Sequence, residues 1–474
     1  MVGEDTFYEG KSARDKRYRD LVHKVAQKDP SWVARFIPFL RNEMNMRSAS
    51  IVMAVEYVVA GAPNGRRVID SAISRADEPA EVIGYYRAQH GRALPQPVKR
   101  GVADAVRRLY NERAAIKWDS ENSGYRLADV IDIVHPEPKA AWQSALYRYI
   151  LDVRHGRDNI SVEGLDTISN YRKLMAVPVK DRRAMLDEPD FTGILDAAGM
   201  TWESLSGWLQ GPMDAKAWES IIPAMGYMAL LRNLRNFEQA GISKEAKATV
   251  IARLTDPEAV AKSRQFPIRF YSAYKAVGGF DYLPALEEAL SLTLQNVPSL
   301  KGRTLILVDN SGSMGGSFSA RGTVSQREIA GLFGAAVALK AESADLYAYD
   351  DRAYPVSFRK SDPVLKVAKA ATTHNGGTNT FGVLMSTYSG HDRVIILTDE
   401  QSWDARTYYG YGSRSNTQIQ QDVKVPIYTF NLAGYKTGHM ESGKDGRYVF
   451  GGLTDAGFRL IDLLERGKNE DWPF

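Results

Sequence analysis

Cysteine is absent from all 474 residues, which removes disulfides, thiolate metal sites and cysteine nucleophiles together. No apolar run reaches about 18 residues, so no helical membrane span is encoded. The opening M-V-G-E-D-T-F-Y-E-G lacks a charged-then-apolar leader, and no secretory signal is legible in it. Charge of one sign is scarce: a net +4 and a pI near 8.8 are milder than many nucleic-acid binders show. The excess is local, with 17 Lys/Arg against 12 Asp/Glu in residues 1–100. That permits a phosphate-binding face without requiring one. Catalytic signatures are missing too. There is no G-x-x-x-x-G-K, no H-E-x-x-H and no nucleophile with a placed base, and the seven histidines have no ligand spacing. The expectation is a cytoplasmic protein that is not an enzyme.

What is present falls into two grammars. Up to about residue 297, apolar positions recur at three- and four-residue spacing. Tyr18-Leu21-Val22-Val25, Trp32-Phe36-Ile37-Leu40 and Ile51-Val52-Val55-Val58-Val59 are examples. Breaks such as D-P-S at 29–31, G-A-P-N-G at 61–65 and A-L-P-Q-P at 93–97 separate the runs. Consecutive helices with short joints predict an α-solenoid of HEAT-like repeats over 1–297. From 298 to 474 the pattern becomes strand, helix, strand. T-L-I-L-V at 304–308, A-D-L-Y-A-Y at 344–349, V-I-I-L-T at 394–398 and V-P-I-Y-T-F-N-L at 425–432 read as strands. A helix is expected over 323–342 and another over 459–466. The alternation predicts a doubly wound α/β domain. The polar stretch 402–421 reads as a mobile loop.

The α/β half carries one constellation with clear chemistry. Asp309, Ser311 and Ser313 form D-x-S-x-S at the end of an apolar strand, with Gly312 free to turn between the hydroxyls. Thr378 follows in G-G-T-N-T, and Asp399 ends a second apolar run. Hard cations take oxygen ligands, and magnesium binds one or two carboxylates while keeping several waters. Open α/β sheets collect ligands at the carboxyl ends of their strands. D-x-S-x-S alone is also an ordinary strand-to-helix turn with a capping serine. The five oxygen residues in order point instead to Mg2+ or another divalent cation. The assembly resembles the metal-ion-dependent adhesion site of von Willebrand factor A domains.

The helical half carries a second resemblance. D-T-F-Y-E-G at 5–10, F-L-R-N-E-M-N-M-R-S-A at 39–49 and Y-R-L-A-D-V-I-D-I-V-H-P-E-P at 125–138 are similar to blocks of the TROVE module. So are M-G-Y-M-A-L-L-R-N-L-R-N-F-E-Q-A-G at 225–241 and the D-P-E-A-V-A-K-S-R-Q-F-P-I-R-F run ending at Phe270. The chain thus resembles bacterial relatives of the Ro autoantigen. That resemblance implies a ring of helical repeats closed by the metal-site domain, most simply a monomer. It implies small structured noncoding RNA of the Y class on the outer surface, and single-stranded 3′ ends of RNA in a central hole. It also implies a role in RNA quality control or processing, with an exoribonuclease or another protein as partner through the metal site.

By this resemblance Arg41, Arg47, Arg232, Arg235, Arg264 and Arg269 are candidates to track phosphates in the opening, as arginines do without base preference. Lys117, Arg126, His135 and Lys139 occupy the block where relatives contact structured RNA. Two departures stand out. Asp119 and Glu121 sit where relatives tend to be basic, and carboxylates there repel phosphate. The T-F-Y-E block also begins at residue 6, which puts closure between the first helices and the C-terminal domain in question. Each arginine taken singly has an equal structural reading as a salt-bridge partner. The rival function is a protein-adhesion module that holds an acidic partner through its metal and binds no RNA.

Overall fold

The computed structural model describes residues 11–121, 123–279, 281–317, 324–400, 422–432, 443, 446–451 and 457–474. The block at 5–10 and the stretch 402–421 lie outside them. Nineteen α-helices follow one another from Lys11 to Leu292, with no strand between them among the described residues. The Pro30–Asn42 helix shows why. The Asp29 carboxylate accepts from the Trp32 N–H at 2.9 Å, and Pro30 takes the first position, where its missing N–H costs nothing. Val33, Ile37 and Leu40 are then buried at i, i+4 and i+7. Helices pack chiefly on helices one or two along the chain, as in a solenoid. Two helices approach closely at Gly101, where a Cβ would stand 2.6 Å from both Arg66 O and Ile69 Cβ. Among the described residues no helix is long and apolar enough to cross a membrane.

From Arg303 a six-stranded mixed sheet takes over. Its strands are β1 (Arg303–Asp309), β2 (Ser343–Tyr349), β3 (Ala353–Pro355), β4 (Arg393–Thr398), β5 (Ile427–Asn431) and β6 (Arg447–Gly451), in the spatial order β3-β2-β1-β4-β5-β6. All pairs are parallel except β2 with β3. The central strands bury both faces. Ile306, Val308, Ile395 and Leu397 face one apolar core with the Gln326–Lys340 helix, while Leu305, Leu307, Val394 and Ile396 face another with the Thr380–Thr387 helix. The four expected strands are present, and so are the helices expected near 323–342 and 459–466. The edge strands β3 and β6 add to them. The order reverses direction between β1 and β4, so the loops leaving these two strands diverge and open a crevice at their carboxyl ends.

The apolar core does not divide where the secondary structure changes. One cluster holds residues 22–168, and a second runs without interruption from Leu174 through the later helices onto one face of the sheet. Two junctions join these bodies. At the first, Arg113 pairs with the Asp196 carboxylate at 3.1 Å and donates to the Asp196 carbonyl at 2.9 Å. At the second, the end of the chain returns to the Pro30–Asn42 helix. Trp472 meets Trp32 edge-on at 5.3 Å, and Phe474 lies 5.1 Å from both Phe36 and Phe39. Beside them Arg459 donates to the Glu43 carbonyl at 2.5 Å, and Arg264 to the Asn42 carbonyl at 2.7 Å. Both guanidinia thereby satisfy carbonyls at the C-terminal end of that helix, where cations are favoured. The path of the chain is closed, although the first helix described begins only at Lys11.

Candidate functional site

Asp309 ends β1 and is fully buried. Its Oδ1 accepts the Ser311 N–H at 2.8 Å, and its Oδ2 accepts the Thr398 hydroxyl at 2.5 Å. The Ser311 and Ser313 hydroxyls lie 3.1 Å apart. Ser311 pairs as a short parallel bridge with Gly376, and the Gly312 N–H donates to the Gly376 carbonyl at 3.1 Å. The G-G-T loop is therefore laid alongside D-x-S-x-S, with buried Thr378 two residues further on. A Cβ at Gly376 would stand 2.7 Å from Asp350 Oδ2, so this close passage needs glycine.

Asp399 follows β4, the neighbour of β1, and is also buried. Burial is the main reason the Asp309 carboxyl is pushed up to about 6, and the charge on Asp399 adds to it against the hydrogen bonds from Thr398 and Ser311. Two buried acids side by side, held by a hydroxyl and a peptide N–H, form a donor set that suits a hard cation. Among the described residues no three of His, Cys, Asp and Glu converge to hold a metal. Hydroxyl and water oxygens would have to complete a coordination shell here, as Ser311, Ser313 and Thr378 allow.

Two residues at this site escaped the reading of the sequence. Glu400, next to Asp399, takes a left-handed backbone at φ 59° and turns its carboxylate inward to accept the Asn431 amide at 2.7 Å. Burial pushes this carboxyl up to about 7, with Asp399 adding to it. The signal was the second acid in T-D-E. Arg327 donates at 2.8 Å to both the Ser311 carbonyl and the Asn375 side chain, tying the two loops together.

The cationic candidates separate sharply. Arg41 is buried and paired with Glu78, whose side chain is fully buried, at 2.5 Å. Arg47 pairs with Glu81 and reaches Asp77 at 3.5 Å. Arg126 pairs with Asp119 at 2.5 Å, so the carboxylate expected to repel phosphate serves a neighbouring arginine instead. Arg264 belongs to the second junction. For these four the structure gives the cation a partner within the protein.

Arg232 and Arg235 differ. Both stand exposed on the Tyr227–Ala240 helix, and neither guanidinium makes an ion pair or hydrogen bond among the described residues. With Arg269 they line a cavity of about 310 Å³ that Asn236 and Ser272 also face. Lys117, His135 and Lys139 are exposed elsewhere. The Lys117 ammonium sits 4.9 Å from the Trp118 ring, and His135 ends its helix in a left-handed turn at φ 48°.

Comparison with known proteins gives one family match, in the helical half of the chain. The TROVE domain matches residues 199–289, which contain Arg232, Arg235 and Arg269. The RNA-binding protein RO60 of Deinococcus radiodurans is 22% identical over 445 residues, covering 86% of this chain and 80% of that protein. Telomerase protein component 1 of Mus musculus is 39% identical over 82 residues, which is 16% of this chain and 3% of that protein. In three dimensions the crystal structure of the Deinococcus radiodurans RO (RSR) protein superposes with a TM-score of 0.72 at 17% identity, over 95% of this chain and 94% of that one. The chain thus carries a TROVE-domain match and is similar, over most of its length, to a bacterial Ro protein.

Proposed function

We propose that the protein is an RNA-binding scaffold and not an enzyme. In this reading residues 1–297 form the TROVE ring of HEAT-like repeats, and residues 298–474, a von Willebrand factor A-like domain, close it. Single-stranded 3′ ends of RNA enter the opening and meet Arg232, Arg235 and Arg269. A small structured RNA of the Y class lies on the outer surface against Lys117, His135 and Lys139. Asp309, Ser311, Ser313, Thr378 and Asp399 hold Mg2+ or another divalent cation, which an acidic group of a protein partner, such as an exoribonuclease, completes. The protein acts as a monomer in the cytoplasm, in RNA quality control or processing.

One observation carries the RNA reading. Two exposed arginines without an acidic partner among the described residues share a cavity with a third, inside the segment that matches the TROVE domain. Ion-paired arginines are ordinary surface furniture, whereas unpaired cations gathered in a concavity attract anions and release counterions on binding. The relative named RNA-binding protein RO60 supports the same ligand class. Binding of a fluorescein-labelled oligouridylate to the full-length protein, followed by anisotropy across salt concentrations, tests it. The double variant Arg232→Ala/Arg235→Ala is expected to bind at least about tenfold more weakly, with a salt slope smaller by about 2. Wild-type protein that binds no RNA at ~150 mM salt would favour the adhesion reading instead.

A further inference from the structure

A second cavity, of about 240 Å³, opens at the junction where the chain closes on itself. Three segments far apart in sequence line it: residues 41–45, residues 263–266 and Arg459. Glu43 is the one acid among the lining residues, against Arg41, Arg264 and Arg459. The charge of Arg41 is already taken by Glu78, so two positive charges, Arg264 and Arg459, face one negative. Glu43 is 46% exposed and holds them loosely, at 3.8 Å and 3.2 Å.

The donor geometry matters more than the count. Arg264 uses only Nη1, for the Asn42 carbonyl and the Glu43 carboxylate. Arg459 likewise uses only Nη1, for the Glu43 carbonyl and carboxylate. Nε and Nη2 of both make no hydrogen bond among the described residues. That free edge is the planar fork that matches two oxygens of a phosphate. The Arg459 guanidinium is held in place over the Phe266 ring, 5.6 Å from its centroid. Each fork is therefore anchored at one nitrogen and open at the other two.

We infer that the junction cavity binds a phosphate group of a ribonucleotide chain, held between the open edges of Arg264 and Arg459. Because both arginines belong to the second body and already grip the end of the Pro30–Asn42 helix in the first, a phosphate there also tightens the closure. The inference rests on the RNA reading above for the source of the phosphate, though not for the site.

Oligouridylate anisotropy with the full-length protein, paired with hydrogen exchange at residues 43–46, tests this. Arg459→Lys keeps a cation on the helix end and loses the fork. It is expected to leave exchange in the unliganded protein unchanged, and to weaken oligouridylate binding by roughly tenfold, as loss of charge-assisted bonds implies. Arg264→Lys should do the same, and oligouridylate should slow exchange at 43–46 in the wild type alone. If both lysine variants bind like the wild type while Arg232→Ala/Arg235→Ala does not, the junction site is refuted and the RNA reading stands. If inorganic phosphate slows exchange at 43–46 and oligouridylate does not, a free phosphate is the ligand and the polynucleotide source is wrong. Absence of any effect from either probe overturns the site outright.

Discussion

Removing the Arg41 side chain should destabilise the first helical body rather than act on a ligand. Arg41 and Glu78 have side-chain exposures of 8% and 0%, and Nη2 meets Oε1 at 2.5 Å. Arg41→Ala leaves a carboxylate buried without its cation, a change that costs about 3–5 kcal/mol. The lower end applies here. Glu78 still accepts from the Ser74 N–H at 2.6 Å and the Arg75 N–H at 3.1 Å, and Arg47 Nε remains 3.6 Å away. Glu78 is also the first residue of the Glu78–His90 helix, where negative charge is favoured. With three apolar cores in the chain, unfolding has no single midpoint, so amide exchange in the Glu78–His90 helix is the proper assay. A loss of about 3 kcal/mol accelerates that exchange on the order of a hundredfold. Arg41→Met combined with Glu78→Gln should recover part of the loss, because no bare charge is left. Arg47→Ala, whose direct hydrogen bond goes to the partly exposed Glu81, should cost at most about 1 kcal/mol. Unchanged exchange in Arg41→Ala with weakened RNA binding would refute this assignment and restore Arg41 as a ligand contact.

Other outcomes follow from the same geometry. Asp309→Ala should abolish stabilisation of the α/β half by magnesium, read as slowed amide exchange in β1, and an undiminished slowing would remove Asp309 from the site. Replacing Trp472 and Phe474 by alanine strips the aromatic seat from Trp32, Phe36 and Phe39, and exchange in the Pro30–Asn42 helix should rise at least tenfold. No change there would mean that the polar contacts alone close the chain. Burial by itself would raise the Glu56 carboxyl, but hydrogen bonds from Tyr85, His90 and His23 outweigh it and hold it below its ordinary 4.5. Its contribution is therefore complete above pH 4.5 and lost as pH falls through the lowered value. The stability advantage of the wild type over Glu56→Gln should shrink across that window when read by amide exchange in the Arg47–Val59 helix, and an advantage that grows on acidification would contradict it.

Much of the molecule was legible because its signals are local. An apolar run ending in Asp309 marks a buried strand and its loop within eleven residues, and period-3.6 patterns mark helices one at a time. The arginines were not legible in the same way. Arg41 and Arg232 look alike in sequence, yet one finds Glu78 across a helix pair 37 residues away and the other finds no acid among the described residues. Pairing of this kind is decided by packing. Glu400 was passed over because a second acid after a strand usually points to solvent, and only its left-handed backbone turns it inward. Closure was in question because the T-F-Y-E block starts so early, but the residues that make it are Trp472 and Phe474, at the opposite end of the sequence.

Ultraviolet crosslinking of a 4-thiouridine oligoribonucleotide to the full-length protein, with adducts mapped by mass spectrometry, tests the RNA reading most directly. Adducts are expected in the segments 228–236 and 269–277 that line the arginine cavity, and should vanish with Arg232→Ala/Arg235→Ala. Crosslinks that avoid both segments, or that persist undiminished in the double variant, would contradict it.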